Sequence, residues 1–355
     1  MKALVLSGGR GTRLRPLTHT GAKQLVPVAN KPILFYVLEN IAGAGIREVA
    51  MIISPETGHE VRAAVGDGAA WGLNVQYVLQ EEPAGIAHAV KIARGALGDD
   101  DFLLYLGDNL IGGGVNELID RFRRSGSRAA ILLKEVENPS DFGIAEIDGA
   151  GTIVRLVEKP ADPPSNLALV GVYVFAPAIH QAIDAIRPSR RGELEITDAI
   201  QQLILWGERV DSQILRHWWL DTGKKDDLLS ANTVVLDEWI QPAVHGAVDG
   251  ASRIAGRVAI EQGAVVTAST IRGPVVIGRD AVVEHSFIGP FTSIGDKVRV
   301  INSVIEHSVI LANSEVRDID RLEDSLVGRN AVILKGQRRP AGYRLLLGDD
   351  CVVEI

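Results

Sequence analysis

Cysteine is almost missing from this chain. One residue, Cys351, stands among 355. An intrachain disulfide framework is thereby excluded and a reducing compartment is expected; Cys351 itself reads as packing within the tail. No apolar run approaches the roughly 18–20 residues needed to cross a bilayer. The opening offers only "ALVL" before polar residues, too short for the apolar core of a secretory signal. No membrane partner and a cytoplasmic location are the expectation. An excess of basic residues is lacking too. With 45 Asp+Glu against 37 Lys+Arg, the net charge is −8, which argues against nucleic acid as the main partner. Two common phosphate fingerprints are also absent: the first glycine cluster matches neither GxxxxGK[ST] nor GxGxxG.

What is present is ordinary for a folded protein, with 46% hydrophobic and 23% charged residues, in a chain long enough for two domains. Residues 1–240 alternate short apolar runs with amphipathic stretches, the pattern of an α/β, Rossmann-like doubly wound sheet. Strands are expected at Ala3–Leu6, Val49–Ile53, Phe102–Leu106, Ala129–Leu133 and Val170–Phe175. Helices are expected at Pro32–Ala42, Ile86–Ala96, Val115–Arg124, Pro177–Ile186, Ile196–Trp206 and Lys225–Leu236. In such a sheet ligands bind beyond the carboxyl ends of the strands, here after Leu6 and after Leu106.

From residue 254 a longer period takes over. Ile254, Ile271, Ile288, Ile305 and Leu322 stand 17 residues apart. Two further columns, Ile260, Ile277, Ile294, Ile310, Val327 and Val266, Val283, Val300, Val316, Ile333, step by 17, 17, 16 and 17. Three columns per coil predict a triangular solenoid with one short strand per face over 254–334, small residues and glycines easing its corners. Residues 241–253 read as the linker and 335–355 as a tail capping the open end.

The stretch "LSGGRGTRLRP" after the first strand gathers three glycines and three arginines. Backbone N–H groups of Gly8, Gly9 and Gly11 can approach a phosphate chain unhindered by a Cβ. Arg13 can grip two phosphate oxygens through its planar fork, and Lys23 adds a point-like cation. Arg10 and Arg15 receive no role.

In sequence, "LSGGRGTRLRPLTHTGAKQLVPVANKP" resembles the signature of the sugar-nucleotide pyrophosphorylases. The series "KQL", "QEEPAGIAHA", "LGDN", "DFG", "VEKP", "GELEITDAI" and "WLDTG" is similar to the glucose-1-phosphate thymidylyltransferases within that family. The match runs in order through the first 240 residues. The solenoid and the ending "YRLLLGDDCVVEI" resemble the long form, with a C-terminal left-handed β-helix, of deoxysugar pathways in antibiotic-producing actinobacteria. The resemblance implies that dTTP and glucose 1-phosphate give dTDP-glucose and pyrophosphate, with Mg²⁺ as cofactor. It assigns Arg13 to the β- and γ-phosphates, Lys23 to the α-phosphate, and Asp108 and Asp221 to the metal. Gln24, Gln80, Gly8 and Gly85 would read the base. Phe142, Gly143, Glu158 and Val170 would line the sugar pocket, and Lys159 would hold the sugar phosphate. The chain departs from the pattern at "LIGGGV" after "GDN", where short-form relatives carry an aromatic residue; a looser loop is expected there.

Other residues invite plainer explanations. Glu193 and Glu195 look like a catalytic pair, yet alternation along an extended segment would turn them to opposite faces, leaving Glu193 alone toward substrate. Trp218 and Trp219 are expected to pack under the Asp221 loop. His285 and His307, each in an "EHS" triplet, are expected at solenoid corners, although a second, acetyltransferase activity would use such histidines. A non-catalytic regulatory subunit of the same architecture is the other alternative. The solenoid is expected to mediate homo-oligomer assembly.

Overall fold

The computed structural model describes residues 1–9, 21–221 and 225–336. Arg10, Gly11, Arg13, Arg15 and Cys351 lie outside the described residues. The chain divides into two compact units between Ala231 and Asn232.

In the first unit, β1 (Lys2–Leu6) is followed by a small hairpin of β2 (Pro27–Val28) and β3 (Lys31–Pro32), then α1 (Ile33–Gly43) and β4 (Glu48–Ile53). Next come α2 (Gly58–Val65), β5 (Asn74–Leu79), α3 (Ile86–Ile92), α4 (Arg94–Leu97), β6 (Phe102–Leu106) and β7 (Asn109–Ile111). The middle of the unit holds α5 (Asn116–Ser125), β8 (Ala129–Glu135), β9 (Gly143–Ile147), β10 (Ile153–Glu158) and β11 (Leu167–Phe175). It closes with α6 (Ala178–Ala185), α7 (Ile196–Leu205), β12 (Val210–Ile214), β13 (Trp219–Asp221) and α8 (Lys225–Trp239). All five expected strands and all six helical segments are present, with the segment 86–96 split into α3 and α4.

The main sheet has nine strands, with β10-β9-β11-β6-β1-β4-β5 in order and β8 and β12 joined through β11. β1 pairs in parallel with β4 and β6, and β4 with β5. Strands buried on both faces need continuous apolar sequence, and β1 and β6 have it. Ala3, Val5, Leu103 and Tyr105 face one core, together with Leu34 and Leu38 of α1 and Leu118 and Phe122 of α5. Leu4, Phe102 and Leu104 face the other, packed by α3, α6 and α7 through Val90, Ile179 and Ile200. The carboxyl ends of the strands are stitched together: Ser7 N–H donates to Ile52 O at 2.9 Å, Gly107 N–H to Leu6 O at 2.9 Å and Gln80 N–H to Ile53 O at 2.9 Å.

Four of the strands missed by the sequence reading share a cause. β5, β9, β10 and β12 are partly exposed or carry charged residues, so no apolar run marks them. β11 runs antiparallel to β6 and shifts register against β8 between Leu169 and Tyr173. Its amino end therefore sits beside the carboxyl end of β6.

In the second unit the three columns are the rungs of three parallel sheets of six, six and four strands, a solenoid of the left-handed β-helix type. Ile254 pairs with Ile271, Ile271 with Ile288, Ile288 with Ile305, and Ile305 bridges Leu322. Ile260–Ile277–Ile294–Ile310–Val327 and Val266–Val283–Val300–Val316–Ile333 form the other two ladders. Two boundaries differ from the expectation. The unit begins within α8, where Ser293 Oγ donates to Asn232 Oδ1 at 2.6 Å and Asn232 Nδ2 donates to Phe291 O at 2.9 Å. Residues 243–248, read as linker, already make the first rungs through Val244–Ile260 and Val248–Val266. Their steps of 16 and 18 residues fall outside the 17-residue phase, which hid them.

The corners also differ in how they turn. Left-handed backbone falls mostly on non-glycine residues, with φ of 54° at Asp280, 57° at Lys297, 61° at Asn313 and 57° at Asn330. Glycines near the corners instead give clearance: a Cβ on Gly278 would stand 2.5 Å from Asp296 Oδ1, and one on Gly295 would stand 2.8 Å from Ala312 N. His285 and His307 are themselves corner residues, with φ of 47° and 41°.

One column escaped the aliphatic pattern. Ser252, Ser269, Ser286 and Ser303 stack so that each Oγ accepts the N–H of the next serine, at 3.0, 3.0 and 3.1 Å. Ser286 Oγ also donates to Glu284 O at 2.7 Å. Ser286→Ala leaves the buried Ser303 N–H without its acceptor, a cost of about 1–3 kcal/mol. The solenoid's transition in urea unfolding should shift to lower denaturant accordingly; an unmoved transition would count against the ladder.

Candidate active site

Beyond the carboxyl end of β6 opens a cleft of about 710 Å³. It gathers seven of the residues singled out from sequence: Lys23, Asp108, Phe142, Gly143, Glu158, Lys159 and Val170. Lys23 sits in a 3₁₀ turn, Lys23–Leu25, with only 9% of its surface exposed. Its ammonium lies 2.5 Å from Asp108 Oδ2. Taking two charges out of water is repaid only by close pairing, so this contact holds both groups at one end of the cleft.

Asp108 follows β6, and Asn109 begins β7. β7 pairs antiparallel with β13, setting Asp221 opposite Asn109. Residues 108 and 221, far apart in sequence, thus occupy neighbouring positions across one short ladder; the side chain of Asp221 lies outside the described residues. Asn109 Nδ2 donates to Val170 O at 2.6 Å, and Trp219 Nε1 donates to Asn109 Oδ1 at 3.4 Å. Trp219 also packs its ring 5.1 Å from that of Phe142, forming a wall of the cleft rather than only a packing layer. The glycines of "LIGGGV" are not slack. Gly112 N–H donates to Trp218 O at 2.9 Å. A Cβ on Gly113 would stand 2.5 Å from His217 Cδ2. The missing side chains make room for the side chains of His217 and Trp218.

The opposite wall carries the charge. Glu158 accepts from Thr197 Oγ1 at 3.2 Å and from Arg191 at 3.3 Å. Arg191 also approaches Glu193 at 3.1 Å and Glu195 at 3.5 Å. Both glutamates therefore serve one guanidinium, against the opposite-face expectation. The segment is a tight turn, closed by Gly192 N–H to Ser189 O at 2.9 Å and Ser189 N–H to Glu193 O at 2.8 Å, so strand alternation does not apply. Lys159 adopts φ of 39° while its N–H donates to Phe142 O at 3.1 Å, a strained conformation for a lysine at the rim of the cleft. Arg191 was not singled out from sequence, whereas Asn109 and Trp219 stand in the motifs "LGDN" and "WLDTG" but were given no site role; only the fold brings the three together.

The remaining candidates lie beside the cleft. Gln24 is 1% exposed, and a Cβ on Gly9 would stand 3.3 Å from its Nε2. Gly8 abuts the carboxyl end of β4, 3.6 Å from Ser54 N measured from a built Cβ. Gln80 Nε2 lies 3.3 Å from Gly85 O. Gly85 has φ of 101°, and a Cβ there would meet Leu194 O at 2.4 Å; glycine alone fits.

Burial, then the neighbouring Glu195 carboxylate, push the Glu158 carboxyl above its ordinary value, outweighing Lys159, Thr197 and Arg191. With a raised folded value, the folded state holds the proton after the unfolded chain has lost it. Wild type should therefore lose stability relative to Glu158→Gln as pH rises from about 4.3 through the raised folded value, and the two should converge in more acidic solution. Urea unfolding across a pH series checks this; a difference that stays flat with pH would contradict it.

Residues 2–238 match the family model described as Nucleotidyl transferase. The chain is 52% identical to a glucose-1-phosphate thymidylyltransferase of Streptomyces antibioticus, covering 100% of this chain and 99% of that one. It is 44% identical to the low-salt glycan biosynthesis nucleotidyltransferase Agl11 of Haloferax volcanii, over 100% of both chains. A solved Bacillus anthracis structure, described as a glucose-1-phosphate thymidylyltransferase in complex with sucrose, superposes with a TM-score of 0.62 at 31% identity, covering 66% of this chain and 94% of that one. The family model spans most of the chain and the similarity runs along its full length, with a cleft at the carboxyl end of β6: the chain belongs to the nucleotidyl transferase family.

Proposed function

We propose that the protein transfers a thymidylyl group from dTTP to α-D-glucose 1-phosphate, giving dTDP-glucose and pyrophosphate. The observation that carries this reading is the cleft itself. It joins a buried Lys23–Asp108 pair at one end to Glu158 and Lys159 at the other, in a chain 52% identical end to end to a glucose-1-phosphate thymidylyltransferase. A phosphate oxygen of the sugar attacks the α-phosphorus, a new P–O bond forms, and the bond to the β-phosphate breaks as pyrophosphate leaves. Such a reaction asks the protein for positioning and charge neutralisation. Lys23 exchanges its carboxylate partner for oxygens near the α-phosphate. Lys159 holds the sugar phosphate, and Glu158 accepts from sugar hydroxyls beside Phe142, Gly143 and Val170. Arg13, with Gly8, Gly9 and Gly11, is assigned to the β- and γ-phosphates, and Gln24, Gln80 and Gly85 to the base.

Mg²⁺ suits the donor set. Among the described residues no group of three or more His, Cys, Asp or Glu could hold a metal by itself. Asp108 and Asp221 together offer the one or two carboxylates that Mg²⁺ takes while keeping waters and phosphate oxygens. Bound there, it would draw charge from the α-phosphate and orient it. Purified protein with dTTP, glucose 1-phosphate and Mg²⁺ should release pyrophosphate, and EDTA should stop it. Asp108→Asn should lower kcat by about a hundredfold, and the melting temperature should fall as well because the Lys23 ammonium loses its carboxylate. Wild type inert under these conditions would favour a regulatory subunit instead.

We further propose a homo-oligomer. Val244, Ile254 and Val265, 53%, 37% and 39% exposed on the first coils, are apolar surface of the kind that association covers. No helix among the described residues is long and apolar enough to cross a membrane. Light scattering of the full chain should give a multiple of 38.1 kDa; a monomer mass would remove the proposal.

A further inference from the structure

One turn into α3, His88 Nδ1 lies 3.0 Å from Gln80 Nε2. The same Nε2 lies 3.3 Å from Gly85 O. A backbone carbonyl only accepts, so the end of the Gln80 amide that faces it is the NH₂. The second amide hydrogen then goes to His88 Nδ1, which accepts as the neutral tautomer protonated at Nε2. Both hydrogens are committed. Gln80 has no further side-chain partner among the described residues. What remains to meet a ligand is Oε1, an acceptor.

Position makes this polarity matter. Gln80 follows β5 directly and its N–H donates to Ile53 O at 2.9 Å. Gly8 stands over the same strand end, its built Cβ 3.6 Å from Ile53 C. The amide therefore sits between the start of the glycine-rich loop and the first turn of α3.

We propose that His88 is a positioning residue that fixes the polarity of the Gln80 amide, so that the site presents an acceptor to the base. An acceptor there selects a pyrimidine edge bearing an imide N–H, as in thymine or uracil, over the bare ring nitrogen of cytosine. Two acceptors facing each other leave both lone pairs without hydrogen, which is how polar sites reject an analogue. Without His88 the amide is held only by the longer contact to Gly85 O and can turn its NH₂ toward the base. The inference rests on the nucleotidyltransferase reading, with Gln80 at the base.

The test is the ratio of kcat/KM for dTTP over dCTP, with glucose 1-phosphate and Mg²⁺, for wild type and two variants of the full chain. Wild type should favour dTTP. His88→Leu should lower the ratio about tenfold or more, an energy of the size of one hydrogen bond in the site, chiefly by raising KM for dTTP. His88→Asn, whose Oδ1 can accept where Nδ1 did, should restore most of it. A His88→Leu enzyme with the wild-type ratio overturns the proposal, and so does a lowered ratio that His88→Asn leaves unrescued, since that points to packing. If His88→Leu unfolds, the His88→Asn enzyme and calorimetric binding of dTTP and dCTP to it decide alone: a collapsed preference overturns the proposal. Wild type that turns over neither nucleotide removes the nucleotidyltransferase reading, whereas turnover of both without preference removes only this one.

Discussion

The cleft depends on one side-chain amide, that of Asn109. Asn109 Nδ2 donates to Val170 O at 2.6 Å, and its Oδ1 accepts from Trp219 Nε1 at 3.4 Å. Asn109 is 3% exposed, so an unpaired amide there would be costly. This one residue fastens the end of β6 to the bend in β11 and to β13. Gly171 is the counterpart of that bond. It carries φ of 85°, and a Cβ would come within 2.4 Å of Asn109 Nδ2. The backbone of Asp221 reaches the site because β13 pairs with β7, which Asn109 begins. Three separate stretches of chain are thus registered by a single amide, which a shorter or charged side chain would not satisfy at both ends.

Charge is arranged around that frame in compensating pairs. Lys23 and Asp108 neutralise each other at one end, and Arg191 is shared among Glu158, Glu193 and Glu195 at the other. An acidic chain can hold cations inside a cleft in this way without leaving a bare positive surface. Glu158 bears the cost, its carboxyl pushed upward by burial and by Glu195.

The fold was legible where burial is two-sided or periodic. β1 and β6 are unbroken apolar runs, and the solenoid columns at Ile271, Ile277 and Val283 coincide with the observed ladders. Strands with one solvated face, such as β10 with its exposed Val154 and Arg155, gave no comparable signal. Within the site, residues in motifs after strands were visible, as Asp108 and Lys159 were. Arg191 and Trp219 act through distant partners, and the 187–195 turn reversed an argument that holds only for extended chain. The serine column was invisible for another reason: a polar residue at a corner looks like solvent exposure until the next coil's N–H is seen above it.

The solenoid also has a grain. Its ladders keep their pairing although the step from Ile294 to Ile310 is one residue shorter than the step from Ile288 to Ile305. The missing residue falls between Ile305 and Ile310, at the corner that holds His307. Strands cannot lose a residue without turning every side chain beyond to the wrong face, but a corner can. A change of length that no face could take is thus absorbed at a corner, which works as an expansion joint between rigid faces.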